Sequence, residues 1–314
     1  MTLVIDRLSK LFGNTTWALR DVSMTAASGR SSGILGGNSS GKTTLLRIIA
    51  GLETRTSGSV KFNGTASPSD SVIVRSTKKR SGIAGIFGAV EPLTAGERLE
   101  SIEQAIRGDR KLVLLDEPFA GIDDARRRRI AELIRTREEK TVLVASSDLL
   151  TIAELCDDCV VLDSGEMIQS GTVESIYLEP QNTRTAQLSG RINLIEARRV
   201  TKSNDSVPEF YTIAGEHRIF ARRSEKAALG AINRNVYLAI RPEHLSMPTD
   251  ASFPEDNLLK AVVTGIRFLG TATRVEFDAN GLRLEALVPR IVGLDIGEEC
   301  MVALPPPRLH ILKD

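Results

Sequence analysis

The sequence has few aromatic residues and almost no excess charge. Aromatic residues make up 4% of its 314 residues, and the formal net charge is +1. Because nucleic-acid-binding surfaces combine a basic groove with exposed rings, this composition predicts no nucleic-acid partner. The sequence also lacks a run of 18 apolar residues and an apolar leader after Met1. We therefore expect neither a transmembrane segment nor a secretory signal, and a cytoplasmic location.

Cysteine is scarce as well, and its pattern argues against a disulfide framework. Cys156, Cys159 and Cys300 are an odd set, which suits reduced thiols in the cytosol. Cys156 and Cys159 have C-x-x-C spacing, but no second pair of ligands lies nearby in the sequence. A zinc or redox site is therefore disfavoured.

One short segment carries a strong functional signal. Residues 36–43 read G-G-N-S-S-G-K-T, a complete G-x-x-x-x-G-K-[ST] phosphate loop, in which backbone N–H groups face the phosphates. Lys42 would neutralise the outer phosphates, and the Thr43 hydroxyl would ligate Mg²⁺. A predicted strand over 31–35 and an apolar helix over 44–50 give the loop its required context. The residues predicted to bind nucleotide here are Gly36, Gly37, Asn38, Ser39, Ser40, Gly41, Lys42, Thr43 and Thr44.

The segment 111–118 predicts the second half of a nucleotide site. It reads K-L-V-L-L-D-E-P, an apolar run of strand length followed by two carboxylates. Open α/β sheets place their ligands at the carboxyl ends of parallel strands. Asp116 would there hold Mg²⁺ together with Thr43. Glu117 is the candidate catalytic base that polarises the attacking water, a role typically worth about 10²–10⁴ in rate.

Together, these motifs resemble the nucleotide-binding subunit of an ATP-binding-cassette (ABC) importer of the carbohydrate or polyol branch. The resemblance implies ATP and Mg²⁺ as cofactors. It also implies an aromatic residue near the N-terminus that stacks on adenine, and Phe12 fits this position, with Trp17 as a nearby competitor. The segment 119–123, F-A-G-I-D, resembles the family's D-loop. Asp123 would then be the acidic residue that bridges to the partner's site.

The C-terminal third resembles the regulatory domain of the same branch. After about Gly190 the alternation of helix and strand gives way to short strands with turn signals, which is typical of a small β-barrel. The segment 237–244, Y-L-A-I-R-P-E-H, resembles the OB-like domain called TOBE, and 258–270 resembles its repeated strand pair. The predicted fold is an α/β P-loop NTPase of ABC type with a shortened helical subdomain at residues 1–189. A small all-β OB-like TOBE domain follows at residues 190–314.

The family pattern is altered at the histidine that contacts the γ-phosphate. Counted back from residues 161–163, this position is Ser147. A serine hydroxyl is shorter than imidazole and carries no positive charge, so it would miss the phosphate without a bridging water. All histidines lie beyond the predicted ATPase domain, at His217, His244 and His310.

The signature segment, which the family has as L-S-G-G-Q, is altered too. Its best match is 93–97, L-T-A-G-E, in which Thr94 keeps a hydroxyl and Gly96 keeps one glycine. Ala95 adds a methyl group where close approach to phosphate matters. Glu97 adds negative charge near the phosphate held by the opposite subunit. We therefore expect a degenerate signature.

The interval from Lys42 to Leu93 is shortened to roughly half of the family's length. The missing part would be the helical subdomain that docks on transmembrane subunits. No glutamine occurs between Lys42 and Gln104, so the glutamine loop that senses the γ-phosphate is absent as well. The remaining segments, 72–75 and 81–88, are strand-like and glycine-rich, and the sequence does not assign their contacts.

The sequence therefore predicts a degenerate ATP-binding subunit of a sugar or polyol importer. It would bind Mg-ATP, hydrolyse it weakly and work at the inner face of the cell membrane. The expected partners are transmembrane permease subunits and a second ATPase subunit, in a homo- or heterodimer. The alternative is a non-hydrolysing, nucleotide-responsive regulatory or scaffold protein derived from such a subunit. The shortened interval favours this alternative, whereas Glu117 and Asp123 argue against it.

Overall fold

Contacts divide the chain into two units, Met1–Ile176 and Tyr177–Asp314. The computed structural model describes residues 2–13, 15–64, 70–75, 77–79, 90–137, 139–199, 208–221, 234–247, 257–289 and 293–312. The glycine-rich segment 81–88 lies outside this set. The division between the units comes earlier in the chain than the predicted boundary after residue 189.

The first unit mixes helices and strands. Its strands are β1 (Leu3–Phe12), β2 (Thr16–Ala26), β3 (Ser31–Gly36), β4 (Ser57–Phe62), β5 (Ser71–Val74), β6 (Thr77–Lys79), β7 (Val90–Pro92), β8 (Leu112–Asp116), β9 (Thr141–Ser146), β10 (Asp158–Asp163) and β11 (Glu166–Thr172). Its helices are α1 (Lys42–Ile49), α2 (Ala95–Arg107), α3 (Asp124–Arg135), α4 (Leu149–Leu155) and α5 (Val173–Leu178), the last of which ends just past the division.

A six-stranded sheet forms the centre of this unit, in the order β11-β10-β3-β9-β8-β5. Its neighbouring strands are parallel except for β10 and β11. Strands β3, β8 and β9 are buried along their whole length, as expected for parallel strands covered on both faces. Because these strands run in the same direction, the residues at their carboxyl ends meet at one edge of the sheet. Those residues are Gly36, Asp116 and Ser146.

Helix α1 follows β3 after the glycine-rich loop and packs into the core. Leu45, Leu46 and Ile49 are buried in a hydrophobic cluster with residues of β1, β2 and the central sheet. Gly41 precedes the helix with φ 104°, and a Cβ atom at this position would lie 2.5 Å from Ala18 O of β2. Both the positive φ and the close approach require glycine. Strand β2 therefore lies directly against the phosphate loop.

The interval between α1 and α2 contains strands β4 to β7 and no α-helix within its described residues. Strand β5, which includes most of the predicted strand-like segment 72–75, joins the edge of the central sheet beside β8. Strands β6 and β7 form a short antiparallel ribbon. The described part of this interval thus holds no counterpart of a helical subdomain.

The described part of the second unit is built almost entirely of strands. They are β12 (Asn193–Arg199), β13 (Glu209–Thr212), β14 (Arg218–Phe220), β15 (Asn235–Ile240), β16 (Asn257–Phe268), β17 (Thr273–Ala279), β18 (Leu282–Val288), β19 (Glu299–Leu304) and β20 (His310–Leu312). They form two antiparallel sheets, β14-β13-β12-β15-β20 and β18-β17-β16-β19, which share one hydrophobic core. This architecture is the all-β domain expected from the sequence.

One local prediction in this unit is wrong. Residues 258–270 were expected to form a strand pair, but β16 runs unbroken over Asn257–Phe268. Its first eight residues alternate between buried and exposed, the pattern of a single half-buried strand. Gly265 marks a register shift against β17 rather than a turn, because a glycine inside a strand often accommodates a bulge.

Helix α6 (Thr183–Leu188) explains why the second unit begins before residue 190. Its Ala186 is buried against Ala239 and Leu312 of the β-sheet. The Arg241 guanidinium donates hydrogen bonds to the carbonyls of Tyr177 and Ala186 and to Ser189 Oγ. These contacts attach the residues before 190 to the β-structure. None of the helices among the described residues is long and apolar enough to cross a bilayer.

Candidate nucleotide site

The phosphate loop has the shape that its sequence pattern predicts. A Cβ atom at Gly36 would lie 2.4 Å from Ser40 Oγ and 2.5 Å from Leu162 O, so a larger residue would displace the loop. Ser39 adopts φ 64°, and Gly41 is also left-handed, so the backbone curls tightly before α1. The first N–H groups of a helix have no partner within it, so those at the start of α1 and the helix dipole would stabilise an anion at the loop.

The Lys42 side chain folds back over this loop. Its Nζ donates hydrogen bonds to Gly36 O at 2.7 Å and to Gly37 O at 2.9 Å. Burial lowers the pKa of Lys42, while the nearby carboxylates of Glu117 and Asp116 oppose that shift. A buried ammonium group thus lies over the loop, where the outer phosphates of a nucleotide would bind.

Thr43 and Asp116 are brought together from separate motifs. The Thr43 hydroxyl donates a hydrogen bond to Asp116 Oδ2 at 2.9 Å. Burial raises the pKa of Asp116, and the hydrogen bond from Thr43 partly offsets that effect. A hydroxyl and a carboxylate are hard oxygen ligands of the type that Mg²⁺ prefers.

A metal ion here would depend on the nucleotide for its remaining ligands. The described residues contain no group of three His, Cys, Asp or Glu that could hold a metal. Mg²⁺ is commonly bound by one or two protein oxygens together with substrate phosphates and waters. Thr43 and Asp116 fit that arrangement.

Glu117 follows Asp116 and sits next to both the loop and β9. Its backbone is left-handed, with φ 50°, and its N–H donates to Ala145 O at 2.9 Å. Its carboxylate lies 3.9 Å from Lys42 Nζ and accepts hydrogen bonds from Ser146 Oγ at 2.9 Å and from Ser147 N–H at 2.8 Å. The candidate base is therefore held between Lys42 of α1 and the carboxyl end of β9 with the Ser147 N–H that follows it.

Ser147 contributes its backbone N–H rather than its side chain to this arrangement, and residue 147 is exposed. The turn that holds it is fixed by Asp148, which caps α4 by accepting hydrogen bonds from Leu150 N–H and Thr151 N–H. Ser146, which the sequence reasoning missed, holds the second oxygen of Glu117. The sequence does indicate that Ser146 is near the site, because this residue ends a buried strand and directly precedes Ser147.

The two candidate adenine-stacking rings lie on the same hairpin. Phe12 pairs with Thr16 and Trp17 pairs with Leu11 across β1 and β2, and each ring residue is 41% exposed. Lys10 Nζ lies 4.6 Å from the centre of the Phe12 ring. Trp17 directly precedes Ala18, whose carbonyl abuts the phosphate loop at Gly41. Both rings therefore remain candidates, and Trp17 is adjacent in sequence to a residue that touches the loop.

Thr94 and Gly96 lie at the start of α2. Thr94 is the N-cap of this helix and forms a capping box with Glu97. The Thr94 hydroxyl and N–H both donate to Glu97 Oε2, at 2.8 and 2.9 Å, and the Glu97 N–H donates to Thr94 Oγ1 at 3.3 Å. Gly96 has open space around its Cα. The carboxylate of Glu97 thus occupies both donors of Thr94, one of which is the hydroxyl that the signature assignment would offer to a phosphate.

Arg98, also missed in the sequence reasoning, connects α2 to the segment after β8. Its side chain is buried, and its guanidinium donates to Glu117 O at 3.3 Å and to Ala120 O. Burial lowers the pKa of Arg98. The helix that begins with the signature match is thereby tied to the backbone of Glu117.

Asp123 is the N-cap of α3. Its carboxylate accepts hydrogen bonds from the Arg126 N–H, at 3.1 Å, and from the Arg126 guanidinium. These hydrogen bonds, the backbone one first, lower the pKa of Asp123. The residue is exposed, so a partner could reach it, but within this chain it stabilises the start of a helix.

The cysteine pair has the environment of inert thiols. Cys156 and Cys159 are both buried and free. Burial raises the pKa of both, that of Cys159 to about 12. A thiol that stays protonated is a poor nucleophile and a poor metal ligand.

Two family models match the chain. Residues 19–94 match the model for ABC transporters, and residues 238–312 match the model for the TOBE domain. The first match includes the phosphate loop and ends at Thr94, and the second lies within the β-unit. The chain therefore combines the P-loop fold of an ABC ATPase with a C-terminal β-rich TOBE domain.

The relatives of this chain carry the names of import ATP-binding proteins. The sulfate/thiosulfate protein CysA 2 of Shewanella oneidensis is 27% identical, over 88% of this chain and 87% of that protein. The maltose/maltodextrin protein MalK of Photorhabdus laumondii is 24% identical, over 100% of this chain and 96% of that protein. The spermidine/putrescine protein PotA of Clostridioides difficile is 26% identical, over 89% of each. These matches support an ATP-binding subunit of an ABC importer, but the different solutes do not single out the carbohydrate branch.

Proposed function

We propose that this chain is the ATP-binding subunit of an ABC importer and that its first unit binds Mg-ATP. The observation that carries the proposal is the contact between Thr43 and Asp116, whose side chains lie 2.9 Å apart although they belong to separate motifs. Lys42 and Glu117 stand beside them, 3.9 Å from each other. A cation, a hydroxyl and two carboxylates in this arrangement match the requirements of a bound magnesium triphosphate.

Each of these residues has a definable task. The loop N–H groups and Lys42 would bind the outer phosphates. Thr43 and Asp116 would hold Mg²⁺, which would supply positive charge against the negative charge of the phosphates. Glu117 would orient the attacking water and accept its proton. Phe12 or Trp17 would stack on the adenine ring.

Hydrolysis is proposed to be weak because the site has no imidazole. Ser147 stands at the position of the family's histidine, and the first histidine in the sequence is His217, in the second unit. Loss of one preorganised contact to transition-state charge typically costs about 10²–10³ in turnover. Since Glu117 is retained, a low rate of hydrolysis is expected rather than none.

The proposed assembly is an asymmetric pair of ATPase subunits on a permease. Thr94 and Gly96 would serve the opposite subunit's nucleotide, but the Thr94 hydroxyl is already bonded to Glu97. A better-equipped second ATPase subunit would supply most of the turnover. Asp123, exposed at the start of α3, would face the partner. The pair would sit on transmembrane permease subunits at the inner face of the cell membrane.

The proposed solute is a sugar or a polyol. This choice is supported by the resemblance of the nucleotide motifs and the TOBE segment to the carbohydrate branch. The MalK relative, which aligns with the whole of this chain, supports it further. Relatives named for sulfate and for polyamines have similar identity, so transport assays should include both of those solutes.

A nucleotide-responsive scaffold is the second candidate function. It is favoured by the capping box of Thr94 and Glu97, which occupies the Thr94 hydroxyl. It is also favoured by the absence of helices in the described part of the interval between α1 and α2. A scaffold would bind ATP without any measurable turnover in the assembled complex.

Purification of the tagged chain from native membranes tests the proposal. We expect permease subunits and a second ATPase subunit to be identified by mass spectrometry in the same complex. Addition of ATP with Mg²⁺ should then give turnover that depends mainly on the second subunit. Recovery of the chain without any permease would contradict the importer and favour the scaffold.

A further inference from the structure

An arginine stands at the same edge of the central sheet as the candidate magnesium ligands. Strand β5 pairs with β8 in parallel, from Ser71 with Leu112 to Val74 with Leu115. Arg75 directly follows the end of β5, and Asp116 is the last residue of β8. In-register residues of neighbouring strands lie on the same face of a sheet. Arg75, one residue past the end of β5, therefore lies at the same carboxyl edge of the sheet as Asp116, where ligands bind.

The electrostatics of the site agree with this placement. The positive charge of Arg75 acts favourably on the ionised carboxylate of Asp116. Lys42 acts on the same carboxylate in the same direction. Arg75 is half-buried, so its guanidinium acts on Asp116 through a partly desolvated environment in which charges interact more strongly than in water.

The charged groups around the candidate site are nearly balanced without a ligand. Lys42 and Arg75 supply two cations, and Asp116 and Glu117 supply two carboxylates. A triphosphate brings several negative charges, and Mg²⁺ normally neutralises part of them. A guanidinium at this edge can take over part of that task because its planar fork binds phosphate oxygens in pairs.

We propose that Arg75 is a phosphate-binding residue of this chain, which contacts the terminal phosphate of ATP and makes binding only weakly dependent on Mg²⁺. The inference rests on the proposed nucleotide site and adds a residue to it. It assigns a role to the residue that follows β5, in the segment 72–75, whose contacts could not be assigned from the sequence. A terminal-phosphate contact also predicts that Arg75 distinguishes ATP from ADP.

Titration calorimetry of the full chain tests this role. ATP and ADP are titrated separately, in the presence of EDTA and in the presence of Mg²⁺, into the unaltered chain and Arg75→Gln. We expect Arg75→Gln to weaken ATP binding in EDTA by about 10- to 100-fold, the usual range for a lost charged hydrogen bond. ADP binding should change by less than about threefold.

Two further variants make the result specific. Arg75→Lys keeps the charge but loses the paired geometry, so it should recover part of the ATP affinity in EDTA. Arg30→Gln removes an exposed arginine at the opposite end of β3 and should leave all affinities unchanged. Circular dichroism checks that each variant is folded. If Arg75→Gln does not fold, Arg75→Lys carries the test through its loss of ATP affinity relative to ADP.

The possible results separate this inference from the proposed site. Equal ATP affinity of the unaltered chain and Arg75→Gln in EDTA would overturn the role of Arg75 while leaving the site intact. Equal losses for ATP and ADP would also overturn it, because Arg75 would then act only by holding Asp116. An unaltered chain that binds neither nucleotide, with or without Mg²⁺, would overturn both the inference and the site.

Discussion

The carboxylate of Glu117 is held by the backbone of Ser147, with 2.8 Å between Glu117 Oε1 and Ser147 N. This contact uses an N–H group that every residue except proline would keep. The exposed side chain at position 147 can therefore be replaced without removing the hydrogen bond to the candidate base. The geometry thus separates two tasks, the positioning of Glu117 and the contact with phosphate.

Ser147→His should raise ATP hydrolysis. The imidazole restores a donor that can reach the γ-phosphate, and we expect turnover to increase by about 10- to 100-fold. Phosphate release at saturating Mg-ATP measures the change. The double variant Ser147→His, Glu117→Gln serves as the control, because its turnover should fall again. An unchanged rate in Ser147→His would mean that the signature segment or dimerisation, and not the missing histidine, limits hydrolysis.

Ser146→Ala should destabilise the first unit. The buried Ser146 hydroxyl donates to Glu117 Oε2 and accepts from Asp148 N–H, so its removal leaves two groups without a partner. We expect a loss of about 1–3 kcal/mol in the free energy of unfolding. Urea titration followed by circular dichroism measures it. Ser57→Ala, at an exposed serine on β4, should stay within about 0.5 kcal/mol, and an equal effect of both variants would contradict the account.

Glu97 both caps α2 and adds a negative charge to the segment that matches the signature. Glu97→Gln should remove the charge and keep the cap. Glutamine also completes a capping box with threonine, so α2 should keep its stability, whereas Thr94→Ala should lose about 1 kcal/mol. Removal of the carboxylate should strengthen ATP-dependent pairing with the second subunit. Sedimentation with and without Mg-ATP measures that pairing. If Glu97→Gln pairs no better than the unaltered chain, the charge of Glu97 is not what weakens the signature.

Alanine variants of the two exposed rings should identify the adenine contact. Stacking of a base on an aromatic ring is worth about 1–3 kcal/mol, so the variant that removes the true platform should lose roughly 5- to 150-fold in ATP affinity. Phe12→Ala and Trp17→Ala are compared by calorimetry, with inorganic triphosphate as a ligand without a base. Triphosphate affinity should be the same in both variants. Equal, small losses of ATP affinity would mean that neither ring stacks on the base.

The main parts of the site were predictable from local sequence patterns. The phosphate loop and the segment around Asp116 are short contiguous motifs, and the rule that ligands lie at the carboxyl ends of parallel strands predicts the contact between Thr43 and Asp116. The capping box of α2 could also have been predicted, since Thr94 and Glu97 have the required spacing. The prediction interpreted both residues only as parts of a degenerate signature.

Other parts of the site could not be predicted in this way, because they depend on which strands become neighbours in the sheet. Arg75 comes to the same sheet edge as Asp116 only because β5 lies beside β8. The Ser146 hydroxyl reaches Glu117 only because β9 lies on the other side of β8. Arg98 reaches Glu117 O through the packing of α2. No local pattern contains this strand order, so the sequence alone could not assign the contacts of these residues. The boundary between the two units lies earlier than predicted for a similar reason. Arg241 bonds to residues before 190 that are far from it in the sequence.

The most direct test of the account is calorimetric titration of Mg-ATP into the full chain and into Lys42→Ala, with the exposed Lys61→Ala as the matched control. The unaltered chain and Lys61→Ala should bind with the same affinity. Lys42→Ala should lose about 100-fold or more, because the loop loses the cation that faces the outer phosphates. Absence of heat with the unaltered chain, or equal affinity in Lys42→Ala, would contradict the proposed nucleotide site.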